Sequence, residues 1–380
     1  MSHSARPKIV VDDAVALARP LFEPLGEVVC LPGKAISRSD LVDADALIVR
    51  SRTQVNAELL ADTAVRFVGS TVVGLDHIDQ AWLLDQGIAF YSAQGCNARS
   101  VAEFVITQIL QQAQAYNQPI STMTLGIIGV GHVGQSLHTL ATALGMRCRL
   151  NDPPKQHQAR GDAASAYCDL ASALKADVIS LHTPLTDQGP WPTRHLLDAD
   201  ALAQLKPEQM LINAARGGVI DEAAWCQAPT GINLIDCWEN EPWINAAIYA
   251  KASVATPHIA GHAFDAKIRG GLWAAQALAK AWQRPFDSAW QNHLPDAPEP
   301  LTVAEASDIQ TQLTDLVTQC HDPFQDDLAI RCKEIECVHK KYEYYRRHYP
   351  LRREWHAHRV YQTKDSKLNN LLKSLGFSLI

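Results

Sequence analysis

Residues 125–137 read LGIIGVGHVGQSL, an apolar run followed by glycines at positions 129, 131 and 134. The apolar run is typical of a buried strand, and the residues after the glycines are typical of a helix. In such a strand–turn–helix unit, Gly129 permits a tight turn, Gly131 lets a pyrophosphate approach the backbone, and Gly134 lets the helix pack closely. The stretch therefore predicts a dinucleotide site at a helix N-terminus.

The next predicted strand supports this interpretation, because it ends at Asp152, 18 residues after Gly134. A carboxylate at this point can accept hydrogen bonds from the ribose hydroxyls of a dinucleotide. The same negative charge would repel the additional phosphate of NADP. The sequence therefore predicts NAD as the cofactor.

The rest of the chain alternates short apolar runs with helical segments, which is typical of parallel α/β sheets. Strands are predicted in a first series that reads KIVVDD, EVVCL, DALIVR and VRFVGS, and a second series begins near residue 97. We expect two Rossmann-like doubly wound domains and a smaller C-terminal α+β domain. The predicted boundaries are 1–95 with 262–285 for the first domain, 97–260 for the second and 290–380 for the third.

Composition narrows the classes of function. The 380 residues carry a formal net charge of −7, which argues against nucleic acid as a partner, and contain no apolar run long enough for a membrane helix. Nine scattered cysteines without a CxxC pair suit a reducing compartment, so we expect a cytoplasmic protein without a disulfide framework. No metal site is expected, because the spacing of Cys320, Cys332, Cys337 and His339 matches no familiar zinc pattern.

Polar residues follow several apolar strands of the second series. Arg216 comes after a strand that ends in INAA, Asp236 and Glu241 follow the next strand, and His258 follows the last. Ligands in doubly wound folds gather outside the carboxyl ends of the strands, so we expect these side chains near one another. A guanidinium, a carboxylate and an imidazole together suit substrate orientation and proton transfer.

The order of these residues behind a nucleotide motif resembles the D-isomer-specific 2-hydroxyacid dehydrogenase family, and HTPLT at 182–186 also matches its pattern. The resemblance covers residues 1 to about 285. It implies hydride transfer between C2 of a 2-hydroxy acid and the nicotinamide of NAD, with Arg216, Glu241 and His258 as catalytic residues. The implied cofactor-binding residues are Gly129, Gly131, His132, Val133, Gly134, Asp152, Thr183, Asp236 and Gly261. The implied substrate-binding residues are Arg50, Ser51, Val72, Val73, Gly74 and His262.

Further segments, including LIVRSRTQVN, GCNARSVAEFV and the tail's LRREW, resemble members that act on a phosphorylated 2-hydroxy acid. In these members the C-terminal domain forms a homodimer. A phosphate needs cations, so we expect Arg50 or Arg52 to contact it. On the same hypothesis Arg352 or Arg353 of a partner subunit completes the site, whereas the alternative is that the tail arginines pair with glutamates on a solvated surface.

Three departures from the family pattern leave alternatives open. Val72 and His262 stand where the relatives carry Thr and Tyr, and the 25 residues from Arg216 to Glu241 are about four fewer than expected. A dehydrogenase for another acid, such as 3-phosphoglycerate or hydroxypyruvate, therefore remains an alternative. A non-catalytic NAD-sensing scaffold is a second alternative, although the intact catalytic residues argue against it.

Overall fold

The computed structural model describes residues 6–306 and 308–380, which fall into two compact units. The first unit comprises Met1–Asn97 and Ala263–Ala297, and the second comprises Ala98–His262 and Pro298–Ile380. Residues 1–5 of the predicted first domain and residue 307 of the predicted third domain lie outside the described residues. In the part of the chain that is described, no helix is both long and apolar enough to cross a bilayer.

The first unit is built on a five-stranded parallel sheet of order β2-β1-β3-β4-β5. Its central strands are buried along their whole length, as expected where helices cover both faces of a parallel sheet. Its elements up to residue 92 are β1 (Lys8–Asp12), α1 (Ala18–Phe22), β2 (Glu27–Leu31), α2 (Arg38–Leu41), β3 (Ala46–Val49), α3 (Ala57–Leu60), β4 (Phe67–Ser70), α4 (Gln80–Asp85) and β5 (Ala89–Ser92).

The second unit begins with the long helix α5 (Ala98–Ala115) and contains a six-stranded parallel sheet of order β11-β10-β9-β8-β6-β7. The strands of this sheet and the helices between them are β6 (Thr124–Ile128), α6 (His132–Ala143), β7 (Arg147–Asn151), α7 (Pro153–Gln158), α8 (Leu170–Ala173), β8 (Val178–Leu181), α9 (Ala199–Ala203), β9 (Met210–Asn213), α10 (Glu222–Gln227), β10 (Ile232–Ile235), α11 (Ala246–Lys251) and β11 (Val254–Ala255). The stretch between Arg216 and Glu241, which is predicted to be shortened, contains α10 with six residues.

The chain then returns to the first unit as helix α12 (Phe264–Ala281), which packs on α1, β4 and β5. Gly270 permits this close packing, because a Cβ atom at this position would lie 2.2 Å from the carbonyl oxygen of Thr71. Ala274 and Ala275 of α12 are fully buried in the apolar cluster of the same sheet. The last strand of the second sheet is therefore followed by a helix that completes the first unit.

The C-terminal segment packs into the core of the second unit. It contains α13 (Ile309–Cys320), α14 (Pro323–Ile330), α15 (Ile335–Arg347), β12 (Arg359–Val360), α16 (Ser366–Ser374) and β13 (Ser378–Leu379), with β12 and β13 paired in parallel. Leu316, Trp355 and Leu368 share one buried cluster with Phe104 and Ile109 of α5. The predicted fold class, two doubly wound α/β domains with a smaller α+β segment, is confirmed.

Buried polar contacts also join this segment to α5. The hydroxyl of Ser100 donates to the carboxylate of Glu354 over 2.6 Å, and the amide N–H of Trp355 donates to Glu103 over 3.0 Å. Burial raises the pKa of the Glu103 carboxyl to about 7; the nearby charge of Glu354 adds to this rise, while the Arg99 guanidinium opposes it. Glu103 therefore exchanges its proton near neutral pH in the folded state.

The sequence predicted no disulfide framework, and a single pair of cysteines is bonded among the described residues. Cys332 and Cys337 form a disulfide with their Cα atoms 6.0 Å apart. The two residues lie just before and within the first turn of α15, so the helix start brings them together despite a spacing that matches no familiar motif. The other seven cysteines are not part of a disulfide.

Replacing Gly270 by alanine tests the packing of α12. The added methyl group meets the Thr71 carbonyl, so we expect a loss of about 1–3 kcal/mol in the free energy of unfolding, although alanine favours helix. Chemical denaturation measures this loss, and Gln276→Ala on an exposed turn of α12 is the control. A Gly270→Ala protein as stable as the control would contradict the packing described here.

The raised pKa of Glu103 predicts a pH-dependent contribution to stability. Because the folded pKa of about 7 exceeds that of an unfolded glutamate, this contribution is present at acid pH and is lost as pH rises towards 8. Between pH 5.5 and 8.5, Glu103→Gln should remove about 2 kcal/mol of this variation from the free energy of unfolding. Urea titrations of both proteins at both pH values test this, and equal pH slopes would refute it.

Candidate active site

The glycine turn lies at the point where the strand order of the second sheet reverses. β7 and β8 flank β6 on opposite sides. The connection from β6 to β7 and the connection from β7 back to β8 therefore diverge above the carboxyl ends of these strands. Gly129 has a φ of +88°, and a Cβ atom there would lie 2.8 Å from atoms of His182 and Thr183. Doubly wound folds bind their ligands at such a crevice.

Of the other two glycines, Gly134 permits close packing and Gly131 leaves space for a ligand. A Cβ atom at Gly134 would lie 2.1 Å from the Gly129 carbonyl oxygen, which explains the need for glycine where α6 passes close to the turn. A Cβ atom at Gly131 would meet nothing within 4 Å. Gly131 is the N-cap of α6 and no side chain caps the helix, so the N–H groups at His132 and Val133 are available to an anionic group.

Two further groups beside the turn suit a dinucleotide. The buried hydroxyl oxygen of Thr183 has no hydrogen-bond partner among the described residues. The Asp152 carboxylate accepts the N–H groups of Val130, over 2.8 Å, and Lys155, over 3.0 Å. A carboxylate has about four acceptor positions, so Asp152 can still accept ribose hydroxyls while it holds the glycine turn. The residues present therefore fit the cofactor.

The histidine of the HTPLT segment is structural in this unit. The Nε2 atom of His182 lies 2.9 Å from the hydroxyl oxygen of Ser180, within hydrogen-bond distance. Burial lowers the pKa of His182 to about 3, so its imidazole is neutral at physiological pH. His182 therefore shapes the wall beside Gly129 and carries no charge there.

The predicted catalytic residues follow three neighbouring strands: Arg216 follows β9, Glu241 follows β10 and His258 follows β11. Glu241 and His258 are in direct contact, since the Nδ1 atom of the imidazole lies 2.9 and 3.0 Å from the two carboxylate oxygens. With Nδ1 donating to Glu241, Nε2 is the nitrogen that can exchange a proton with a ligand. Both side chains keep part of their surface exposed, 20% for Glu241 and 29% for His258.

The electrostatics of this pair favour a charged glutamate. Burial acts to raise the pKa of the Glu241 carboxyl, but the charge and hydrogen bond of His258 outweigh it. Arg346 of α15 and the N–H of Trp238 lower the pKa further, to about 2. Glu241 is therefore ionised across the physiological range and can stabilise a protonated imidazole.

Asp236 holds the backbone around His258. Its carboxylate accepts the hydroxyl of Thr256 and the N–H groups of Ile259 and Ala260 over 2.7–3.0 Å. Its carbonyl oxygen accepts the N–H of His258 over 2.8 Å. Asp236 is only 2% exposed, so this network is shielded from solvent, and the cofactor contact implied by the family resemblance stays a prediction.

Arg216 lies on a turn that packs against the loop of Glu241. A Cβ atom at Gly217 would lie 1.9 Å from the carbonyl oxygen of Trp238, so only glycine permits this approach. Asn213 donates from its amide to the carbonyl oxygens of Arg216 and Cys237 over 3.0 and 3.1 Å. Sequence reasoning missed Asn213, although a polar residue at the end of the buried β9 was a usable signal.

Cys237, Glu241 and His258 have donor atoms within 4.8 Å of one another, an arrangement that could hold a metal ion where the sequence predicted none. However, His258 already donates to Glu241, and the Cys237 thiol lies 3.4 Å from the Ala215 carbonyl oxygen. Burial raises the pKa of Cys237 well above the usual value, which disfavours the thiolate that a metal requires. The chemistry of the group suits proton transfer better than metal binding.

The predicted substrate residues are divided between the two units. Arg50, Ser51, Val72, Val73 and Gly74 belong to the first unit, where they follow β3 and β4. The Arg50 guanidinium donates to the Ala14 carbonyl over 2.9 Å. The Val72 and Val73 carbonyl oxygens accept hydrogen bonds from serine and glutamine side chains of the same unit.

The predicted cofactor-binding residue Gly261 and the predicted substrate-binding residue His262 lie in the second unit directly after the His258 loop. The N–H of His262 donates to the Ile259 carbonyl over 2.8 Å, which closes this loop as a turn. The His262 ring lies edge-on to Tyr349 of the C-terminal segment, with 5.8 Å between ring centres.

The hypothesis that Arg352 faces a partner subunit is wrong. Arg352 is 6% exposed, and its guanidinium donates to the carbonyl oxygens of Ser100 and Ala260 over 2.8 and 2.6 Å within its own unit. The alternative of a solvated tail surface is wrong for Glu354, which is fully buried, while the part of the hypothesis that concerns Arg353 stays a prediction. The sequence pattern LRREW cannot show which surface covers it, because these contacts cross more than 90 residues of chain.

Comparisons with known proteins agree with this geometry. Residues 97–260 match the family model "D-isomer specific 2-hydroxyacid dehydrogenase, NAD binding domain", and residues 294–376 match a domain of unknown function, DUF3410. The chain is 54% identical over 372 residues to the erythronate-4-phosphate dehydrogenase of Hydrogenovibrio crunogenus, covering 98% of both chains. It is 43% identical to that of Ruthia magnifica, covering 92% of this chain and 96% of the relative.

A solved structure, the NAD⁺-bound 3-phosphoglycerate dehydrogenase of Entamoeba histolytica, matches with a TM-score of 0.61 at 25% identity, covering 73% of this chain and 96% of that one. The family model, the full-length relatives and the nucleotide-binding turn all point to the same assignment. The chain belongs to the erythronate-4-phosphate dehydrogenase family, within the NAD-dependent D-isomer-specific 2-hydroxyacid dehydrogenases.

Proposed function

We propose that the protein oxidises 4-phospho-D-erythronate at C2 with NAD, giving 2-oxo-3-hydroxy-4-phosphobutanoate for the synthesis of pyridoxal 5′-phosphate. One observation carries the proposal. Glu241 and His258 form a hydrogen-bonded pair after the neighbouring strands β10 and β11, and Arg216 follows the next strand, β9. The substrate follows from the full-length relatives, which are named for it.

The residues divide the chemistry among them. NAD, when bound, accepts the hydride that leaves C2. His258 takes the proton of the C2 hydroxyl on Nε2, and Glu241, ionised at physiological pH, stabilises the imidazolium that results. Arg216 orients the substrate carboxylate and the reacting oxygen through its planar fork of donors. The proton and the hydride thus leave the same carbinol group in one oxidation.

We assign the parts of the chain accordingly. Residues 1–95 with 262–285 bind substrate, 97–260 bind NAD, and 290–380 form the dimerisation domain. The substrate phosphate needs cations, and the first unit offers Arg50 and Arg52 after β3. Ser51, the Val72–Gly74 backbone and His262 complete the proposed substrate contacts. Seven of the nine cysteines are not part of a disulfide, which fits a reducing compartment, and we place the protein in the cytoplasm.

A homodimer through the C-terminal segment is also part of the proposal. Of the large hydrophobic side chains exposed on the described surface, several lie in this segment, among them Leu328, Tyr344, Leu351 and Tyr361 at 51–68% exposure. A contiguous patch of exposed hydrophobic side chains is typical of a surface that another protein covers, and the proposal is that these side chains form such a patch. The partner proposed here is a second copy of the chain.

NADH formation with 4-phospho-D-erythronate, 3-phosphoglycerate and D-glycerate tests the substrate. We expect the highest kcat/KM with 4-phospho-D-erythronate. Replacing His258 by glutamine should lower kcat about 100- to 10,000-fold with little change in NAD affinity, because the general base is lost. His293→Gln, at an exposed position, is the matched control. Preference for another acid overturns the substrate, and a His258→Gln enzyme of normal rate overturns the mechanism.

Sedimentation velocity tests the dimer. The wild-type protein should sediment as a dimer, and the paired change Leu328→Glu with Tyr344→Glu should produce monomers by placing charges on the proposed interface. Leu84→Glu, at the 79%-exposed leucine of the first unit, should leave the dimer intact. A monomeric wild-type protein would exclude this part of the proposal.

A further inference from the structure

The two peptide groups after His258 are held from both sides. The Asp236 carboxylate accepts the N–H groups of Ile259 and Ala260 over 2.8 and 3.0 Å. Arg352 donates to the carbonyl oxygens of the same two residues over 3.3 and 2.6 Å. A carboxylate from β10 and a guanidinium from the C-terminal segment thus fix one short stretch of backbone.

Arg352 is itself firmly anchored. Its guanidinium donates to the Ser100 carbonyl over 2.8 Å and lies 6.0 Å from the ring centre of Phe104. Both residues belong to α5, the long central helix of the second unit. The side chain is 6% exposed, so its hydrogen bonds are shielded from water. Arg352 therefore connects the catalytic loop to the rigid core of the unit.

The backbone of His258 needs such support. Its φ is +54°, in the left-handed region that costs a non-glycine residue roughly 1–2 kcal/mol. A conformation of this kind persists only where the surrounding contacts fix it. It also aims the imidazole at Glu241, so relaxation of the loop would separate the pair.

The C-terminal segment contacts the Glu241 loop as well. His339 of α15 donates from Nε2 to the Ile244 carbonyl oxygen over 3.0 Å, and its ring lies edge-on to Trp243. Tyr342 of the same helix is buried in the cluster that contains Trp238. The segment therefore supports both loops that carry the catalytic pair.

We propose that Arg352 is a positioning residue for His258: its hydrogen bonds to the carbonyl oxygens of Ile259 and Ala260 keep the imidazole aligned with Glu241 in the same chain. The proposal rests on the proposed function, in which His258 is the base. Arg352 acts through the loop and not on the substrate. The C-terminal segment then contributes to catalysis within its own subunit, whatever its part in association.

Arg352→Gln removes the fork of donors, and Arg352→Lys keeps one cation. We expect Arg352→Gln to lower kcat about 10- to 100-fold, since small misplacements of catalytic groups have effects of this size, while KM for NAD changes less than twofold. Arg352→Lys should recover part of the loss. Arg359→Gln, on the exposed side of β12, is the matched control and should behave as wild type.

A second variant separates positioning from general destabilisation. Leu368→Ala opens a cavity in the same buried cluster but keeps the guanidinium of Arg352, and it should lower Tm while kcat below Tm stays near wild type. If Leu368→Ala reduces kcat as much as Arg352→Gln, or if Arg352→Gln keeps kcat within twofold, the proposal fails.

A readout without substrate keeps the proposal independent of the substrate assignment. Diethyl pyrocarbonate carbethoxylates histidine, and peptide mass spectrometry can follow the rate at His258. This rate reports on the hydrogen bond between Glu241 and the imidazole ring. We expect this rate to rise several-fold in Arg352→Gln and to stay unchanged in Arg359→Gln and Leu368→Ala. An unchanged rate in Arg352→Gln overturns the proposal, whereas absent turnover of 4-phospho-D-erythronate by the wild-type protein overturns only the proposed function.

Discussion

The hydrogen bonds of the Asp236 carboxylate are the interaction on which the geometry of the Glu241–His258 pair depends. They tie the end of β10 to the loop after β11, and they do so at a position that solvent hardly reaches. Burial raises the pKa of Asp236, so it is the protein donors around it and the nearby charge of His258 that favour its ionised form. The geometry of Glu241 and His258 follows, because Glu241 follows β10 and His258 follows β11.

Buried charges are costly unless their partners are well placed, and this unit contains several of them. Glu103, Glu354 and Arg352 lie at the junction of α5 with the C-terminal segment, where each has protein partners. Replacing buried charges of this kind by apolar side chains is often neutral or stabilising, so we expect these hydrogen bonds to fix the alignment of the segment on α5 more than to add stability.

The sequence was most informative where function depends on local geometry. The turn at Gly129 and the residues after β9, β10 and β11 could be predicted, because strand periodicity and parallel topology bring these positions to one sheet edge. The roles of Asp236 and Arg352 could not, because they depend on contacts between segments that are distant in the chain. Arg352 and Ala260 are separated by 92 residues, and no local pattern reports such a contact.

The division of the first unit between two segments of the chain has a consequence for synthesis on the ribosome. The sheet of the first unit is complete at Ser92, but the helix that covers its apolar face begins at Phe264. The whole nucleotide-binding sheet is translated in between, so the growing chain carries an uncovered apolar surface while its second unit emerges. Nascent chains of this architecture therefore expose a binding surface for chaperones until α12 leaves the exit tunnel.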